Sequence, residues 1–341
     1  MGLGSTVKAI WQLLQGTTNP DVVALYNYLY QKLEGAKLFA PQGMGNVYFV
    51  NGGADGVTVG SNANNGKTPA TAFLTIAYAI SQCVNNNNDY IFCFNVYAQE
   101  VFPITLNLDC LHIIGLDAPD GNYYTLDAAN SLGGAVDDAV FTFAGGLAQN
   151  CEIAGFMLEG GATHAAIELV SGANQTWIHN CTFGHYWCVA GQDGISNTPG
   201  VGGSVWNLVV ENCWFYGSSG PCGKLSRYGI FNGAQSWGGF TIRNNYFLGV
   251  PTGAIILGGT GAAHEGVIDH NCIGCGADAL GNAITLDAQS NGCLVQSNEA
   301  AHGSAALMTA APYSDVLAAD ENHWASNQAQ DQMVLPNEVP T

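Results

Sequence analysis

Charge is scarce in this chain, and positive charge is the scarcest. Its 341 residues include seven Lys and Arg against 26 Asp and Glu, which gives a formal net charge of −19. Only 10% of the residues are charged, against about 25% in typical globular proteins. A phosphate backbone is bound by clustered Lys and Arg, so we expect no nucleic-acid partner. So little charge also indicates that part of the outer surface faces another copy of the chain.

Long apolar runs and a secretion signal are also missing. No stretch approaches the roughly 18 apolar residues that a membrane-spanning helix needs, so we expect no membrane contact. The N-terminus has neither the apolar core nor the cleavage site of a signal peptide, which favours assembly in a cytoplasm. The 11 cysteines are an odd number and suit free thiols in a reducing compartment.

Motifs for metals and cofactors are absent as well. Cys272 and Cys275 form a CxxC pair without the second pair that a zinc site would need. His264 and Glu265 lack the second histidine of a zinc-protease motif. No glycine-rich phosphate loop follows a strand and opens a helix. We therefore expect neither a metal nor a cofactor.

The chain does contain a repeat. Five segments follow one template: apolar, variable, Asn-like, Cys or Asn, variable, apolar. At spacings of 32, 32, 26 and 27 residues, they begin at Ile178, Val210, Ile242, Ile268 and Val295. Fainter copies begin at Ile153 and Ile113. Repeats of this period are typical of solenoids.

The repeat unit is predicted to consist of short strands. Apolar and polar residues alternate over only a few positions in each copy, which favours strands over helices. A second set of apolar segments lies between the copies and includes Cys188–Ala190 and Ala306–Met308. Stacked coils would therefore form parallel sheets whose strands lie ~4.8 Å apart.

Small polar residues recur at the inner end of the template. We expect Asn180, Asn212 and Asn244 to stack at one bend, with their amides bonded to one another and to the turn. The following residues, Cys181 and Cys213, are expected to be small buried members of a neighbouring stack.

The segment before the repeats has its own order. It contains a strand-like run, a loop of Gly, Asp and Asn, and a helical stretch from Ala72 to Ile80. The apolar face of this helix comprises Phe73, Ile76, Ala77 and Ile80. A strand is predicted to follow, over Tyr90–Glu100.

This opening and the repeats together resemble the pectin-lyase-like right-handed parallel β-helix superfamily, in the style of bacteriophage tailspike and virion decoration proteins. The resemblance covers about residues 46 to 315. It implies an all-β fold, a single-stranded parallel β-helix, and a short N-terminal helical segment. The same fold serves lyases, hydrolases, adhesins and structural proteins, so it does not assign a function.

Three parts of the chain are predicted. They are an N-terminal helical anchor or oligomerisation segment (1–45), the β-helix (46–315) and a C-terminal cap or tail (316–341). The N-terminal helix is apolar around much of its circumference, which a lone surface helix does not require. Its candidate interface residues are Tyr26, Leu29 and Leu33. The alternative is that this helix packs on the end of its own β-helix.

One outward row of side chains is polar. The second position of the template places His179, Glu211, Arg243, Asp269 and Gln296 on successive coils. The fifth position places Trp214 and Tyr246 beside this row. Charged groups next to exposed rings resemble a sugar-binding surface. A ladder of salt bridges with aromatic neighbours is the alternative.

Trp214 and Tyr246 beside the row, and His179 within it, are candidates for glycan binding. Glu211, Asp269 and Arg243 of the row are the catalytic candidates. Carboxylates two rungs apart would be separated by about 10 Å, slightly beyond the ~6.5–9.5 Å of inverting glycosidases. Arg243 between them would keep both ionised, which is poor for a general acid. Asp269 and the adjacent His270 are expected to face opposite sides of a strand.

A second outward row is apolar where water would be expected. It is predicted to run through Glu168, Ala190, Phe231, Ile256, Thr285 and Met308, of which Phe231, Ile256 and Met308 are large apolar residues. Exposed apolar stripes mark interfaces, so Phe231, Ile256 and Met308 are candidates for subunit contacts. The alternative is that a loop covers the row.

These features together predict a structural virion protein of a bacteriophage, a homotrimer that serves as capsid decoration or as a tailspike-like fibre. Its expected partners are other copies of itself, other virion proteins and a host glycan. The alternative is an enzyme, a polysaccharide lyase or glycoside hydrolase acting on host surface polysaccharide.

Overall fold

The computed structural model describes most of the chain from residue 45 onward. The described residues are 45–53, 59–94, 100–116, 124–127, 137–161, 163–184, 193–197, 203–217, 225, 227–233, 235–258, 261–275, 283–302, 311–316, 322–329 and 332–333. Within them the chain forms a right-handed parallel β-helix, so the predicted fold class is confirmed. No described helix is long and apolar enough to cross a membrane.

Two large sheets carry the repeated template. The ten strands of sheet A are Val47–Asn51, Asp89–Phe94, Leu111–Gly115, Glu152–Ala154, Trp177–His179, Val209–Glu211, Thr241–Arg243, Val267–Asp269, Leu294–Gln296 and His323–Ala325. The nine strands of sheet C are Tyr124–Asp127, Phe156–Glu159, Thr182–Phe183, Trp214–Tyr216, Tyr246–Leu248, Cys272–Cys275, Glu299–His302, Gln328–Ala329 and Gln332–Met333. All pairings in both sheets are parallel except the last in sheet C. The sheets continue past residue 315, where the predicted β-helix ended.

Two further sheets complete the coils. The eight strands of sheet B are Ile104–Leu106, Phe141–Phe143, Ile167–Leu169, Asp193–Asn197, Tyr228–Phe231, Gly253–Leu257, Ile284–Leu286 and Tyr313–Asp315. The three strands of sheet D are Ser204–Trp206, Ser236–Gly238 and Ala263–His264. Where sheet D is present, a coil therefore passes through sheets B, D, A and C in that order.

Apolar side chains of equivalent residues stack inside the coils. The first position of the template forms one inner column of sheet A, in the register predicted from the repeat: Ile113, Ile153, Ile178, Val210, Ile242, Ile268 and Val295. The last position forms a column in sheet C, where the rings of Phe183, Phe215 and Phe247 stack at centroid distances of 4.5 Å. These columns fix which residues of the same strands face outward.

The asparagine ladder lies one position later than predicted. Asn180, Asn212 and Asn244 are exposed, whereas Asn245, Asn271, Asn298 and Asn327 are buried. Each buried amide donates to the next one along, with Nδ2–Oδ1 distances of 3.0, 2.9 and 3.0 Å. Cys181 and Cys213 occupy equivalent template positions and are buried free thiols, as expected.

Left-handed backbone explains this shift. The residue that follows each sheet A strand has a φ between 52° and 56° in six coils. These residues are Asn180, Asn212, Asn244, His270, Ser297 and Ser326. Asparagine tolerates this conformation better than most residues. The turn directs the side chain of this residue outward and that of the next residue inward. We call this turn the A/C bend.

The opening segment has the predicted order with shifted boundaries. A short 3-10 helix, Pro69–Thr71, precedes the α-helix α1, Ile76–Gln82. Thr75 caps α1 by accepting a hydrogen bond from the backbone N–H of Tyr78. The helix packs on the first strands of sheets A and B through Ile76, Ala79 and Ile80. Ala77, predicted on the apolar face, is exposed instead.

The predicted apolar row on sheet B is shorter than expected. Phe231 and Ile256 lie on neighbouring rungs and are half-buried. Ser196, on the strand Asp193–Asn197, occupies the rung beside Phe231 for which Ala190 was predicted, and Ala190 itself lies outside the described residues. Thr285 follows Ile256, and the next rung, predicted to hold Met308, is Ser314. In the described part of this row, the two apolar residues Phe231 and Ile256 therefore lie between the polar residues Ser196 and Thr285.

Several predicted interface residues cannot be placed. Tyr26, Leu29, Leu33 and Met308 lie outside the described residues, as does the N-terminal helix that carries the first three. Their role at a subunit interface stays a prediction.

Candidate functional site

The predicted polar row is present in the predicted register. His179 pairs with Glu211, Glu211 with Arg243, Arg243 with Asp269, and Asp269 with Gln296. On the neighbouring face, Trp214 of sheet C pairs with Tyr246. The two faces meet at the A/C bend.

A shallow, open groove lies along the A/C bend, with a volume of about 360 Å³. Its lining consists of Asn180, Cys181, Thr182, Asn212, Trp214 and Asn244. We call it the bend groove. Among the described residues, the side-chain amides of Asn212 and Asn244 have no hydrogen-bond partner. Each amide offers two donors and an acceptor toward solvent. The groove therefore combines hydrogen-bond donors and acceptors with an indole ring.

An aromatic wall forms the sheet C side of the bend groove. The ring of Trp214 is 46% exposed. It packs against Tyr246 at a centroid distance of 4.7 Å and against Tyr216 at 5.9 Å. The inward stack of Phe215 and Phe247 fixes these neighbours on the outer face, because side chains alternate along a strand. The indole is thus presented to solvent on a rigid support.

Glu211 is a structural anion and not a free carboxylate. Its Oε1 accepts a 2.9 Å hydrogen bond from Trp177 Nε1, and its Oε2 lies 2.6 Å from Arg243 Nε. The Glu211 side chain is 10% exposed, while that of Arg243 is 48% exposed. Both oxygens are therefore occupied by donors, and neither is free to exchange a proton with a substrate.

Asp269 and His270 lie together, contrary to the prediction that they face opposite sides. His270 is the left-handed residue of the A/C bend, so side-chain alternation ends at Asp269. The Nδ1 atom of His270 lies 2.5 Å from Asp269 Oδ1, at ion-pair distance but without hydrogen-bond geometry. The His270 side chain is 61% exposed. No described ion pair joins Asp269 to Arg243, so Arg243 pairs with Glu211 alone.

A third carboxylate on the outer face of sheet A, besides Glu211 and Asp269, was not identified from the sequence. Glu152 lies between two imidazoles, with His112 Nδ1 at 2.6 Å from Oε2 and His179 Nε2 at 2.7 Å from Oε1. The other ring nitrogen of His179 contacts Asn180 Nδ2 at 2.7 Å. Both nitrogens of His179 are therefore occupied, and its ring stacks on Trp177 at 3.9 Å. His179 holds its neighbours in place and offers no free donor to a ligand.

The two imidazoles change the acidity of Glu152. Burial by itself would raise the pKa of this carboxyl group. The hydrogen bonds and charges of His112 and His179 outweigh burial and lower the pKa from 4.5 to about 2. Glu152 is thus a fixed anion at neutral pH, and it links the histidines of the two coils that flank its own.

We expect the substitution Glu152→Gln to destabilise the protein in a pH-dependent way. Since the folded-state pKa lies below the usual value, the stabilisation is present above pH 4.5 and is lost as the pH falls toward about 2. The variant should lose about 2 kcal/mol at neutral pH, a figure reduced for partial exposure, and almost nothing at pH 2. Urea unfolding across this range measures the difference. The exposed Glu299→Gln is the matched control and should show no such trend.

The described residues hold no cluster of three or more His, Cys, Asp or Glu side chains that could bind a metal ion. Glu152, with one oxygen turned to each of two histidines, is held by hydrogen bonds.

Comparison with known proteins adds a likeness of fold. No family model matches the chain, and no curated protein sequence matches it. A solved structure that is similar is that of an alginate lyase from Paenibacillus sp. str. FPU-7, with 15% identity and a TM-score of 0.46. The likeness covers 74% of this chain and 92% of the lyase chain. A likeness at this level does not extend to the chemistry of a site.

Proposed function

We propose that this protein binds polysaccharide chains at the bend groove. The observation that carries the proposal is the exposed, supported indole of Trp214 beside the unpaired amides of Asn212 and Asn244. An apolar ring can stack on the face of a sugar, while amides exchange hydrogen bonds with its hydroxyl groups. An open groove suits a chain that enters and leaves it, whereas small ligands are usually enclosed.

The substitution Trp214→Ala should weaken polysaccharide binding about tenfold or more, as expected for loss of a central aromatic anchor. Trp214→Phe keeps a ring and should retain most of the affinity. Calorimetric titration with a panel of polysaccharides measures both. Leu147→Ala is the control, because Leu147 is also an exposed apolar residue but lies outside the groove. Equal affinities of the wild type and Trp214→Ala for every bound polysaccharide would refute the proposal.

A finer proposal concerns the setting of this protein. We keep the prediction of a homotrimeric virion protein of a bacteriophage, with the groove turned toward a host glycan. Its support is the small share of charged residues, 10%, which suits a chain with part of its surface in contact with other copies. Sedimentation equilibrium tests the trimer directly. A monomer at micromolar concentration would contradict it.

Cleavage of the bound chain is a second candidate function, favoured by one observation. His270 lies at the A/C bend with Nδ1 facing Asp269, and its exposed ring leaves Nε2 open to solvent. An imidazole held in this way can accept a proton from a substrate, as β-elimination of a uronic-acid polymer requires. The appearance of new chain ends from a uronate polymer, lost in His270→Ala, would support cleavage. If neither the wild type nor the variant produces chain ends, the protein is a binder.

A further inference from the structure

Among the described residues, three tryptophans are exposed, and they lie on two adjacent coils. Trp177, Trp206 and Trp214 have relative exposures of 40%, 43% and 46%, whereas Trp237 is fully buried. Large aromatic side chains usually bury most of their surface. Three exposed indoles on neighbouring coils form an exposed apolar surface, and such surfaces mark binding sites.

We infer that the ligand of this protein is a neutral polysaccharide that runs from the bend groove across the outer face of sheet A to Trp206, which forms a second subsite. The inference rests on the proposed function of the groove. It extends the site by one aromatic platform and names the chemical class of the chain that lies on it.

Trp206 is held in place as firmly as Trp214. Its Nε1 donates a 3.1 Å hydrogen bond to Ser204 Oγ, and its backbone N–H donates to Asn174 Oδ1 at 2.8 Å. The indole lies over Gly238 of the next coil, where any Cβ atom would collide with the ring. A ring fixed in this way loses little conformational entropy when a sugar stacks on its open face.

Trp206 and Trp214 flank sheet A within one coil. Trp206 precedes Asn207, a left-handed residue at the turn from sheet D to sheet A. The strand Val209–Glu211 follows, then the A/C bend and Trp214. The eight steps between the two tryptophans span at most about 26 Å. A path of up to this length can hold an oligosaccharide.

Trp177 lies on the face between these two residues, one coil earlier, in register with Val209. Its ring stacks on His179 and its Nε1 donates to Glu211. The carboxylate therefore orients the indole that a crossing chain would meet midway. The three indoles thus offer successive apolar contacts along one direction.

The charges along this path disfavour an acidic chain. Glu152, Glu211 and Asp269 lie on the outer face of sheet A. In the described strands of that sheet, Arg243 is the one Lys or Arg and forms an ion pair with Glu211, which leaves Glu152 and Asp269 without a Lys or Arg partner. The net charge of the whole chain is −19. A polyanion would be repelled by this field, whereas a neutral chain would not.

The dependence of binding affinity on the length of the oligosaccharide tests the second subsite. Calorimetric titrations would use neutral oligosaccharides from a disaccharide to an octasaccharide, and a uronate series of the same lengths. The affinity of the wild type should rise with length, and Trp206→Ala should lose about tenfold for long chains only. Trp214→Ala should lose affinity at every length. Val316→Ala, another exposed apolar residue, is the control and should bind as the wild type does.

Two further variants guard against misfolding of Trp206→Ala. Trp206→Phe should keep most of the length-dependent gain, and Gly238→Ala should lose it by displacing the indole. Thermal unfolding checks that each variant is native.

The outcomes separate this inference from the proposed function. Long-chain affinity that is unchanged in both Trp206→Ala and Gly238→Ala overturns the second subsite but leaves the groove intact. Tighter binding of the uronate series overturns the neutral class. A wild type that binds no oligosaccharide of either series overturns the proposed function itself.

Discussion

Replacing Asn271 with alanine is expected to lower the free energy of unfolding by about 4 kcal/mol. Asn271 is buried, and its Oδ1 accepts from the backbone N–H of Asn245 at 3.1 Å and from Asn245 Nδ2 at 3.0 Å. Its Nδ2 donates to Ile242 O at 3.0 Å and to Asn298 Oδ1 at 2.9 Å. Alanine would remove these bonds and leave buried partners unsatisfied, which costs more than the bonds contribute.

Urea unfolding followed by tryptophan fluorescence measures this loss. Cys181→Ala is the matched control, because Cys181 occupies the equivalent template position three coils earlier without a side-chain amide. It should cost about 1 kcal/mol, the usual value for a small buried group. Similar losses for the two variants would show that the amide ladder does not stabilise the coils as argued.

Replacing Phe215 with alanine should cost a similar amount, about 4 kcal/mol. Its ring is fully buried and stacks between Phe183 and Phe247 at 4.5 Å, with interplanar angles of 5° and 8°. Alanine would open a cavity in the middle of this column. Because Trp214 precedes Phe215 on the same strand, the substitution should also disturb the aromatic wall and weaken glycan binding.

The neighbouring residue supplies the control for that prediction. Tyr216 follows Phe215, faces outward and is half-buried. Tyr216→Ala removes a ring of similar size and should cost under about 2 kcal/mol, since this ring lies on the outer face and is only partly buried. Equal destabilisation by the two substitutions would contradict the inner stack as the support of sheet C.

The repeat made most of the fold predictable, because one inward residue per strand is enough to set the register. Ile178, Val210 and Ile242 align as their spacing in the sequence indicated, and this alone brings Glu211, Arg243 and Asp269 into one row. The aromatic pair Trp214 and Tyr246 followed by the same argument. The roles of these residues in binding or catalysis stay predictions.

Other features escaped because they depend on backbone conformation. The predicted ladder of Asn180, Asn212 and Asn244 assumed that these amides point inward, but left-handed turns direct them to the bend groove. The same turns place His270 beside Asp269. The sequence pattern records which residues tolerate a positive φ, but it does not show the direction of their side chains.

The remaining wrong predictions concern strands that have few apolar residues or match the template poorly. Asp193–Asn197 contains one isoleucine among polar residues and glycine, so the more apolar Cys188–Ala190 was chosen in its place. A further copy of the template was also missed at Trp324–Ala329, where Trp324 pairs with Val295 and Asn327 ends the ladder. Its spacing of 29 residues from Val295 would have revealed it.

The role of Glu152 was not predicted from the sequence, because this residue lies one position before the template in its coil. Its histidine partners come from other coils, and only the register of sheet A brings the three together. A row-by-row comparison of the residues before the first template position would have placed Glu152 next to His112.

Oxidative footprinting of the tryptophans tests the central claim most directly. Hydroxyl radicals modify exposed indoles, and mass spectrometry reads the extent of oxidation at each residue with and without a bound polysaccharide. The proposed site predicts strong protection of Trp214 and Tyr246, with Trp324 of the last described sheet A strand unchanged. Unaltered oxidation of Trp214 under saturating polysaccharide, or protection confined to other residues, would contradict the assignment of the bend groove as the glycan-binding site.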